Sequence, residues 1–140
     1  MKIAIINGPN LNLLGTREPG IYGSQTFEEY FVQLKQAHPT VEFAYYQSNV
    51  EGELINQLQE LGKSHDAIIM NPGGYTHTSV AIGDCIAAIK TPVIEVHISN
   101  VHAREDFRKI SHVPAVCKGS IIGLGLKGYE LAVQWHLSNK

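Results

Sequence analysis

The stretch KIAIINGP at residues 2–9 decides the fold, because it is a short apolar run that stops at asparagine, glycine and proline. An apolar run of this length, closed by turn residues, is typical of a buried strand rather than of a helix. The stretch AIIMNPGG at residues 67–74 has the same form and predicts another buried strand. Strands that are apolar throughout are typical of parallel sheets covered on both faces.

Helical patterns alternate with these strands along the chain. Thr26 and Glu29 form a capping box that opens a first helix, whose apolar spacing continues until Pro39. A stripe from Leu54 to Leu61 predicts a second helix, which Gly62 is expected to close. The other predicted elements are a strand at 41–45, a helix from about Thr78 to Ile89, a strand at 92–98, a strand near 120–123 and a helix through Trp135. Five strands alternating with helices predict one α/β domain over residues 1–140, a parallel sheet with helices on both faces.

Composition narrows the class of protein. A chain of 140 residues with 44% hydrophobic and 17% charged residues is expected to form a globular core. A formal net charge of -2 without a basic run argues against a nucleic-acid partner. Cys85 and Cys117 belong to no C-x-x-C motif, so a reducing compartment is expected. No stretch approaches the length of a membrane span, and we therefore expect a cytoplasmic protein without a membrane partner.

Polar side chains concentrate in three loops that follow predicted strands. Ligands of open parallel sheets bind in the crevice outside the carboxyl ends of the strands, so these loops are the expected site. The loops cover residues 8–25, 71–77 and 97–108. Their polar residues are Asn10, Asn12, Arg17, Tyr22, Asn71, His77, His97, Ser99, His102, Arg104 and Arg108.

Two pairs of residues are candidates for acid and base chemistry. Tyr22 follows Arg17 by five residues in a glycine-flanked loop, and a nearby cation favours a phenolate that can act as a base. The alternative is a packed loop tyrosine with a solvated arginine. His97 follows Glu95 by two residues, so strand periodicity places both on one face, where the carboxylate would favour a protonated imidazole. The alternative is a hydrogen-bonded core histidine.

Other patterns point to chemistry that the rest of the sequence does not support. The stretch GLGLKG at 123–128 matches a dinucleotide-binding glycine pattern, but the acidic residue expected about 20 positions later is missing. Residues 71–75 lack the lysine of a phosphate-binding P-loop. Asn7 and Asn71 stand where a phosphoryl-receiving domain would need carboxylates. Two further hypotheses remain open: a binding module for a small anion or nucleotide, and a metal-dependent hydrolase that uses His77, His97 and His102.

Four segments together resemble type II 3-dehydroquinate dehydratases. They are NGPNLNLLGTREPGIYG at 7–23, NPGGYTHTSVAIGD at 71–84, PVIEVHISN at 92–100 and REDFRKIS at 104–111. The resemblance extends to the closing GLGLKGYELA and so covers nearly the whole chain. It implies a flavodoxin-like fold and the conversion of 3-dehydroquinate to 3-dehydroshikimate and water, with no cofactor, metal or Schiff base.

The resemblance also implies roles for five catalytic residues. Tyr22, held as a phenolate by Arg17, would remove a proton from C2, next to the ketone. Asn10 would hold a water that hydrogen-bonds the developing enolate oxygen. His97, oriented by Glu95, would protonate the departing C1 hydroxyl, which gives an anti elimination.

The remaining implied residues bind substrate. Asn71, His77 and Arg108 resemble the hydroxyl-binding residues of the family, and the backbone amides of Ile98 and Ser99 would receive the carboxylate. The implied assembly is a dodecamer of four trimers, in which Asp84 reaches the site of a neighbouring subunit. Taken alone, Asp84 reads equally as an exposed helix carboxylate, and His77 as a poor helix cap.

Overall fold

A five-stranded parallel sheet forms the centre of the molecule. The computed structural model describes residues 1–16 and 24–140. The strands are β1 (Lys2–Asn7), β2 (Glu42–Gln47), β3 (Ala67–Asn71), β4 (Val93–His97) and β5 (Gly119–Ile122). They lie side by side in the order β2-β1-β3-β4-β5, with every neighbouring pair parallel. This is the strand order of flavodoxin-like folds, and it confirms the predicted fold class.

In the described ranges, four α-helices cover the two faces of the sheet. They are α1 (Phe27–Ala37), α2 (Glu51–Ser64), α3 (Val80–Ala88) and α4 (Lys127–Ser138). On one face, Phe27 of α1 and Tyr129 of α4 pack in a cluster with Ile5. On the other face, Leu54 of α2 and Ile82 of α3 pack in a second cluster, which includes β1 and β3 residues. Every residue of β3 is buried, because helices cover both of its faces, and this explains its uninterrupted apolar sequence.

Side-chain caps define the starts of α1 and α3. The Oγ1 of Thr26 accepts a hydrogen bond from the Glu29 amide at 3.2 Å, which confirms the cap predicted for α1. The helix expected from about Thr78 begins at Val80 instead, because the Ser79 hydroxyl accepts a hydrogen bond from the Ile82 amide at 2.9 Å. A 3₁₀ turn over Gly73–His77 precedes it. Among the described residues, no helix is both long and apolar enough to span a bilayer.

The prediction that Gly62 closes the second helix is wrong. Helix α2 continues to Ser64, and the His65 amide still donates to the Leu61 carbonyl at 2.9 Å. The Thr91 hydroxyl donates to the Gly62 carbonyl, so this carbonyl near the end of the helix has a partner in the loop before β4. A Cβ at Gly62 would lie 3.5 Å from the Ile89 side chain, an ordinary contact. The glycine therefore marks a packed position inside the helix rather than its end.

Candidate active site at the carboxyl ends of the strands

A cleft opens where β1, β3 and β4 end. Within the described part of the chain, eight of the residues singled out in the sequence line it: Asn10, Asn71, His77, His97, Ile98, Ser99, Arg104 and Arg108. Leu11, Leu14 and Val101 add an apolar wall, and Arg104 adds a second guanidinium group. A concave site with an apolar wall and several directed polar groups suits a small, polar organic ligand.

The other candidate residues lie elsewhere. Glu95 is fully buried behind His97. Asp84 is on the exposed side of α3 and is not among the residues that line the cleft of its own chain. Arg17 and Tyr22 lie outside the described residues, so the predicted pairing of the two stays a prediction.

His97 and Glu95 form a buried pair at the end of β4. The Nε2 of His97 lies 3.2 Å from the Oε2 of Glu95, on the same face of the strand, as the spacing of two residues predicts. The Thr76 hydroxyl donates to Oε2 at 2.6 Å and the Ser120 hydroxyl donates to Oε1 at 3.0 Å. Burial acts to raise the pKa of Glu95, but the hydrogen bond and charge of His97, followed by the hydrogen bonds from Thr76 and Ser120, outweigh it, and the pKa lies below its usual value. Glu95 is therefore a carboxylate that fixes the histidine ring.

Asn71 is oriented by a hydrogen-bond chain that runs behind the cleft. Its Oδ1 accepts from the Gly73 amide at 3.0 Å, and its Nδ2 donates to the Tyr129 hydroxyl at 3.0 Å. The Tyr129 hydroxyl donates in turn to Oδ1 of Asn7 at 2.8 Å. Burial raises the pKa of Tyr129 well above its usual value, so its hydroxyl remains neutral. With its oxygen engaged, Asn71 offers the cleft an N–H donor.

Asn10 is held in an unusual backbone conformation. Its φ of 70° lies in the left-handed region, which asparagine tolerates better than most residues. The Asn10 amide donates to Oδ1 of Asn49 at 3.0 Å, and Gln47 donates both to that oxygen and to the Gly8 carbonyl. The end of β2 therefore anchors the loop that carries Asn10.

Two loops of the cleft touch at Gly8. A Cβ at this position would lie 2.6 Å from the carbonyl oxygen of Pro72, closer than any side chain tolerates. The Gly8 amide also donates to the Asn71 carbonyl at 2.7 Å. Glycine is needed here because the loops after β1 and β3 meet through their backbones.

His77 and Arg108 are both anchored from the segment that follows β4. The Nδ1 of His77 lies 2.7 Å from the Ile110 carbonyl, so Nδ1 carries the hydrogen and Nε2 is the nitrogen left to bind a ligand. The Nε of Arg108 donates to Glu105 at 2.6 Å, and its guanidinium group lies 5.1 Å from the centre of the Phe107 ring. These contacts hold both side chains at the rim of the cleft.

The structure also places residues near the site to which the sequence assigned no role. Thr76, Ser120 and Tyr129 stand directly behind His97 and Asn71. The parallel register pairs Ser120 with Glu95, so strand alignment was the signal that pointed to it. Tyr129 is 58 residues from Asn71 and 122 from Asn7, and no local pattern connects them.

The metal-hydrolase hypothesis needs three histidines in one place. His77 and His97 line the cleft, but His102 is exposed and is not among the lining residues. Within residues 1–16 and 24–140, no group of three or more His, Cys, Asp or Glu side chains is arranged to hold a metal ion. The geometry of the described part of the chain therefore gives this hypothesis no support.

Comparisons with known proteins identify sequences similar to this one over a range that includes the residues lining the cleft. The family model described as "Dehydroquinase class II" matches residues 1–137. The 3-dehydroquinate dehydratase of Fusobacterium nucleatum subsp. nucleatum is 54% identical, over 95% of this chain and 94% of that protein. The 3-dehydroquinate dehydratase of Campylobacter jejuni subsp. jejuni is also 54% identical, over 95% of this chain and 85% of that protein.

A solved structure shows the same similarity in three dimensions. The crystal structure of type II dehydroquinase from Butyrivibrio crossotus superimposes with a TM-score of 0.92 at 48% identity. The match covers 98% of this chain and 97% of that one. The agreement therefore includes the strand ends and loops that build the cleft.

Proposed function

Because the chain belongs to the class II dehydroquinase family and is a 3-dehydroquinate dehydratase, a lyase of the shikimate pathway, we propose how its residues remove water from 3-dehydroquinate. The proposed reaction is an anti elimination through an enolate, without a metal and without a Schiff base. The observation that carries the proposal is the His97–Glu95 pair, which places an imidazole backed by a buried carboxylate in the wall of the cleft.

Tyr22 is the proposed base. Its phenolate, stabilised by the Arg17 guanidinium group, removes a proton from C2 of the substrate. Three tyrosines that are wholly or partly buried in the described structure are poor candidates for this role. Burial raises the pKa of both Tyr30 and Tyr45 to about 12, and it raises that of Tyr129 further. A tyrosine that works near neutral pH needs a cation rather than an apolar pocket, and Arg17 supplies one.

The proton removal leaves an enolate whose oxygen needs hydrogen-bond donors. We assign this stabilisation to a water held by Asn10, whose backbone is fixed by Asn49. The backbone amides of Ile98 and Ser99, just beyond the end of β4, receive the substrate carboxylate. Asn71, with its N–H directed by Tyr129, donates to a ring hydroxyl.

His97 is the proposed general acid. Glu95 holds its Nε2, and the other ring nitrogen, Nδ1, gives its proton to the departing C1 hydroxyl. His77 and Arg108 bind further hydroxyl groups at the rim, where the segment after β4 anchors both side chains. Base and acid come from different loops, so they can approach opposite faces of the ring, as anti elimination requires.

The proposed assembly is a homododecamer built from trimers in the cytoplasm, with one catalytic domain per chain. Asp84 is exposed on α3, where a carboxylate is free to reach a neighbouring subunit. Val80, at the start of the same helix, is an exposed apolar side chain, which is consistent with a subunit contact there.

The central test is turnover of 3-dehydroquinate, followed by the ultraviolet absorption of the conjugated enone acid. Tyr22→Phe and Arg17→Ala should each lower kcat by orders of magnitude with the fold intact. Tyr46→Phe is the matched control, because the Tyr46 hydroxyl makes only a 3.4 Å contact with exposed Glu53. Near-normal turnover by Tyr22→Phe would contradict the assignment of the base.

Two treatments test the chemistry that the proposal leaves out. Activity should persist in a chelator, because no step uses a metal. Activity should also survive borohydride added with substrate, because the proposed site contains no lysine to form an imine. Inactivation by borohydride would show an imine mechanism. Complete loss of activity in the chelator would support the metal-hydrolase hypothesis. A folded parent protein that binds without turnover would instead be a binding module.

A further inference from the structure

The carboxylate of Glu95 is enclosed by hydroxyl groups from two other elements. Glu95 is fully buried, and its Oε2 faces both the Thr76 hydroxyl at 2.6 Å and Nε2 of His97 at 3.2 Å. Its Oε1 accepts from the Ser120 hydroxyl at 3.0 Å. Thr76 belongs to the 3₁₀ turn before α3, and Ser120 belongs to β5. Neither residue lines the cleft, so neither is placed to touch substrate.

A buried carboxyl and imidazole that share one proton have two arrangements. In one, a carboxylate faces an imidazolium. In the other, a carboxylic acid faces a neutral imidazole. Burial favours the second arrangement, because it contains no charges. Hydrogen bonds donated to the carboxylate favour the first, each by a factor of roughly 10 to 100 in the equilibrium constant.

We propose that Thr76 and Ser120 are positioning residues that keep the shared proton on His97 rather than on Glu95. Both hydroxyls donate to Glu95, and both donations are strongest when Glu95 is a carboxylate. The role matters because an imidazolium can give its Nδ1 proton to the leaving hydroxyl and become a neutral imidazole. A neutral imidazole could give up the same proton only if the Glu95 carboxylic acid passed its own proton to Nε2 in the same step.

The other groups around the pair make this support necessary. Burial, with the charge of Glu95 as a second cause, raises the pKa of the Cys117 thiol to about 12, so this neighbour adds no charge. Arg104 and Arg108 line the same cleft as His97, as does His77. Positive charges in the cleft oppose an imidazolium; Glu105 pairs with both arginines, and the hydroxyl-bound carboxylate of Glu95 is the anion that lies next to the His97 ring.

The kinetic test compares three threonine variants of the full-length protein. This inference rests on the proposed role of His97 as the general acid. Thr76→Val should lower kcat roughly 10- to 100-fold, the factor that corresponds to the free energy of one hydrogen bond to a charged group. Thr76→Ser keeps the hydroxyl and should recover most of the activity. Thr78→Val is the matched control, because Thr78 is exposed two residues further along and should leave kcat unchanged. Ser120→Ala should have a smaller effect, since water can replace a partly exposed hydroxyl.

The second readout locates the proton directly. Nitrogen-15 NMR of labelled histidine distinguishes an imidazolium from a neutral ring, and it also identifies the protonated nitrogen. In the parent, His97 should keep imidazolium signals to a higher pH than in Thr76→Val, and the double variant with Ser120→Ala should shift further. This measurement does not require turnover. An inactive parent protein would therefore refute the proposed function, but the NMR comparison would still test the position of the proton.

The inference is overturned by either of two results. Thr76→Val with unchanged kcat and unchanged histidine signals would show that the hydroxyl has no role. Lower kcat with unchanged histidine signals would show a purely structural role. If Thr76→Val does not fold, the same two criteria apply to Ser120→Ala, whose side chain lies at the sheet edge.

Discussion

Asn7 and Asn71 end neighbouring strands, pair in register and face the same side of the sheet, yet only Asn71 lines the cleft. Tyr129 separates their roles. Its hydroxyl donates to Asn7 and accepts from Asn71. Asn7 therefore holds the Tyr129 hydroxyl in place, whereas the amide group of Asn71 is oriented as a donor toward the cleft. A residue's chemistry at this site depends on which atom its neighbour has already engaged.

Tyr129→Phe tests this arrangement. Removing the hydroxyl leaves two buried amide groups without their partner, which should lower the free energy of unfolding by about 1–3 kcal/mol. Asn71 would also lose its fixed orientation, so we expect KM for 3-dehydroquinate to rise. Urea denaturation and steady-state kinetics measure the two effects, with Tyr46→Phe as the control. An unchanged KM would show that Gly73 alone orients Asn71.

The residues of the site differ in how far the sequence could predict them. His97 and Glu95 are two positions apart on one strand, so periodicity alone placed them together. Asn10, Asn71 and His77 lie at or just after strand ends, and the tendency of parallel sheets to bind ligands outside the carboxyl ends of their strands predicted that they share one cleft. Thr76 and Tyr129 could not be predicted in this way, because their contacts depend on how a turn and a distant helix pack on the sheet.

Among the elements, the strands were predicted more closely than the ends of the helices. A buried strand is short and continuously apolar, and turn residues stop it on both sides. Helix ends depend on competing hydrogen bonds, which are local in the cap at Ser79 and come from a distant residue in the contact between Thr91 and Gly62. The glycine pattern at 123–128 serves a turn between β5 and α4 rather than a nucleotide.

Gly123 is the element-scale test of that turn. Its φ is +85°, and a Cβ there would lie 3.1 Å from the Cβ of Asn100, in the loop after β4. Gly123→Ala should therefore lower the free energy of unfolding by about 1 kcal/mol or more. Gly52→Ala is the control: nothing lies within 4 Å of its Cβ position in α2. This control should raise stability by about 0.4–1 kcal/mol, since alanine favours helix. Equal effects in urea denaturation would contradict the distinction.

At the scale of the whole molecule, stability should depend on pH through His136. This side chain of α4 is 2% exposed, and its Nε2 lies 3.2 Å from the Ile68 carbonyl. Burial lowers the pKa of His136 below its usual value, although the carbonyl acts in the opposite direction. The unfolded chain, with a histidine pKa of about 6.5, then binds a proton more readily than the folded chain.

The sign of the effect follows from this difference. The contribution of His136 is fully present above about pH 6.5 and is lost as the pH falls from there through the lower pKa of the folded state. His136→Gln keeps a donor for Ile68 but cannot titrate, so its unfolding free energy should fall less between pH 7 and pH 5. Urea denaturation at several pH values measures this slope, and exposed His102→Gln is the control. Identical slopes in parent and His136→Gln would exclude His136 as the cause.

The hydrogen bond between Tyr129 and Asn7 joins the last helix to the first strand, 122 residues apart. Contacts between such distant segments are slow to form, because the intervening chain must first be ordered. During synthesis, every cleft-lining residue up to Arg108 is translated before α4. The nascent chain can therefore contain all the described residues that line the cleft while Asn71 still lacks its partner. We therefore expect the docking of α4 to be the step that fixes the orientation of Asn71.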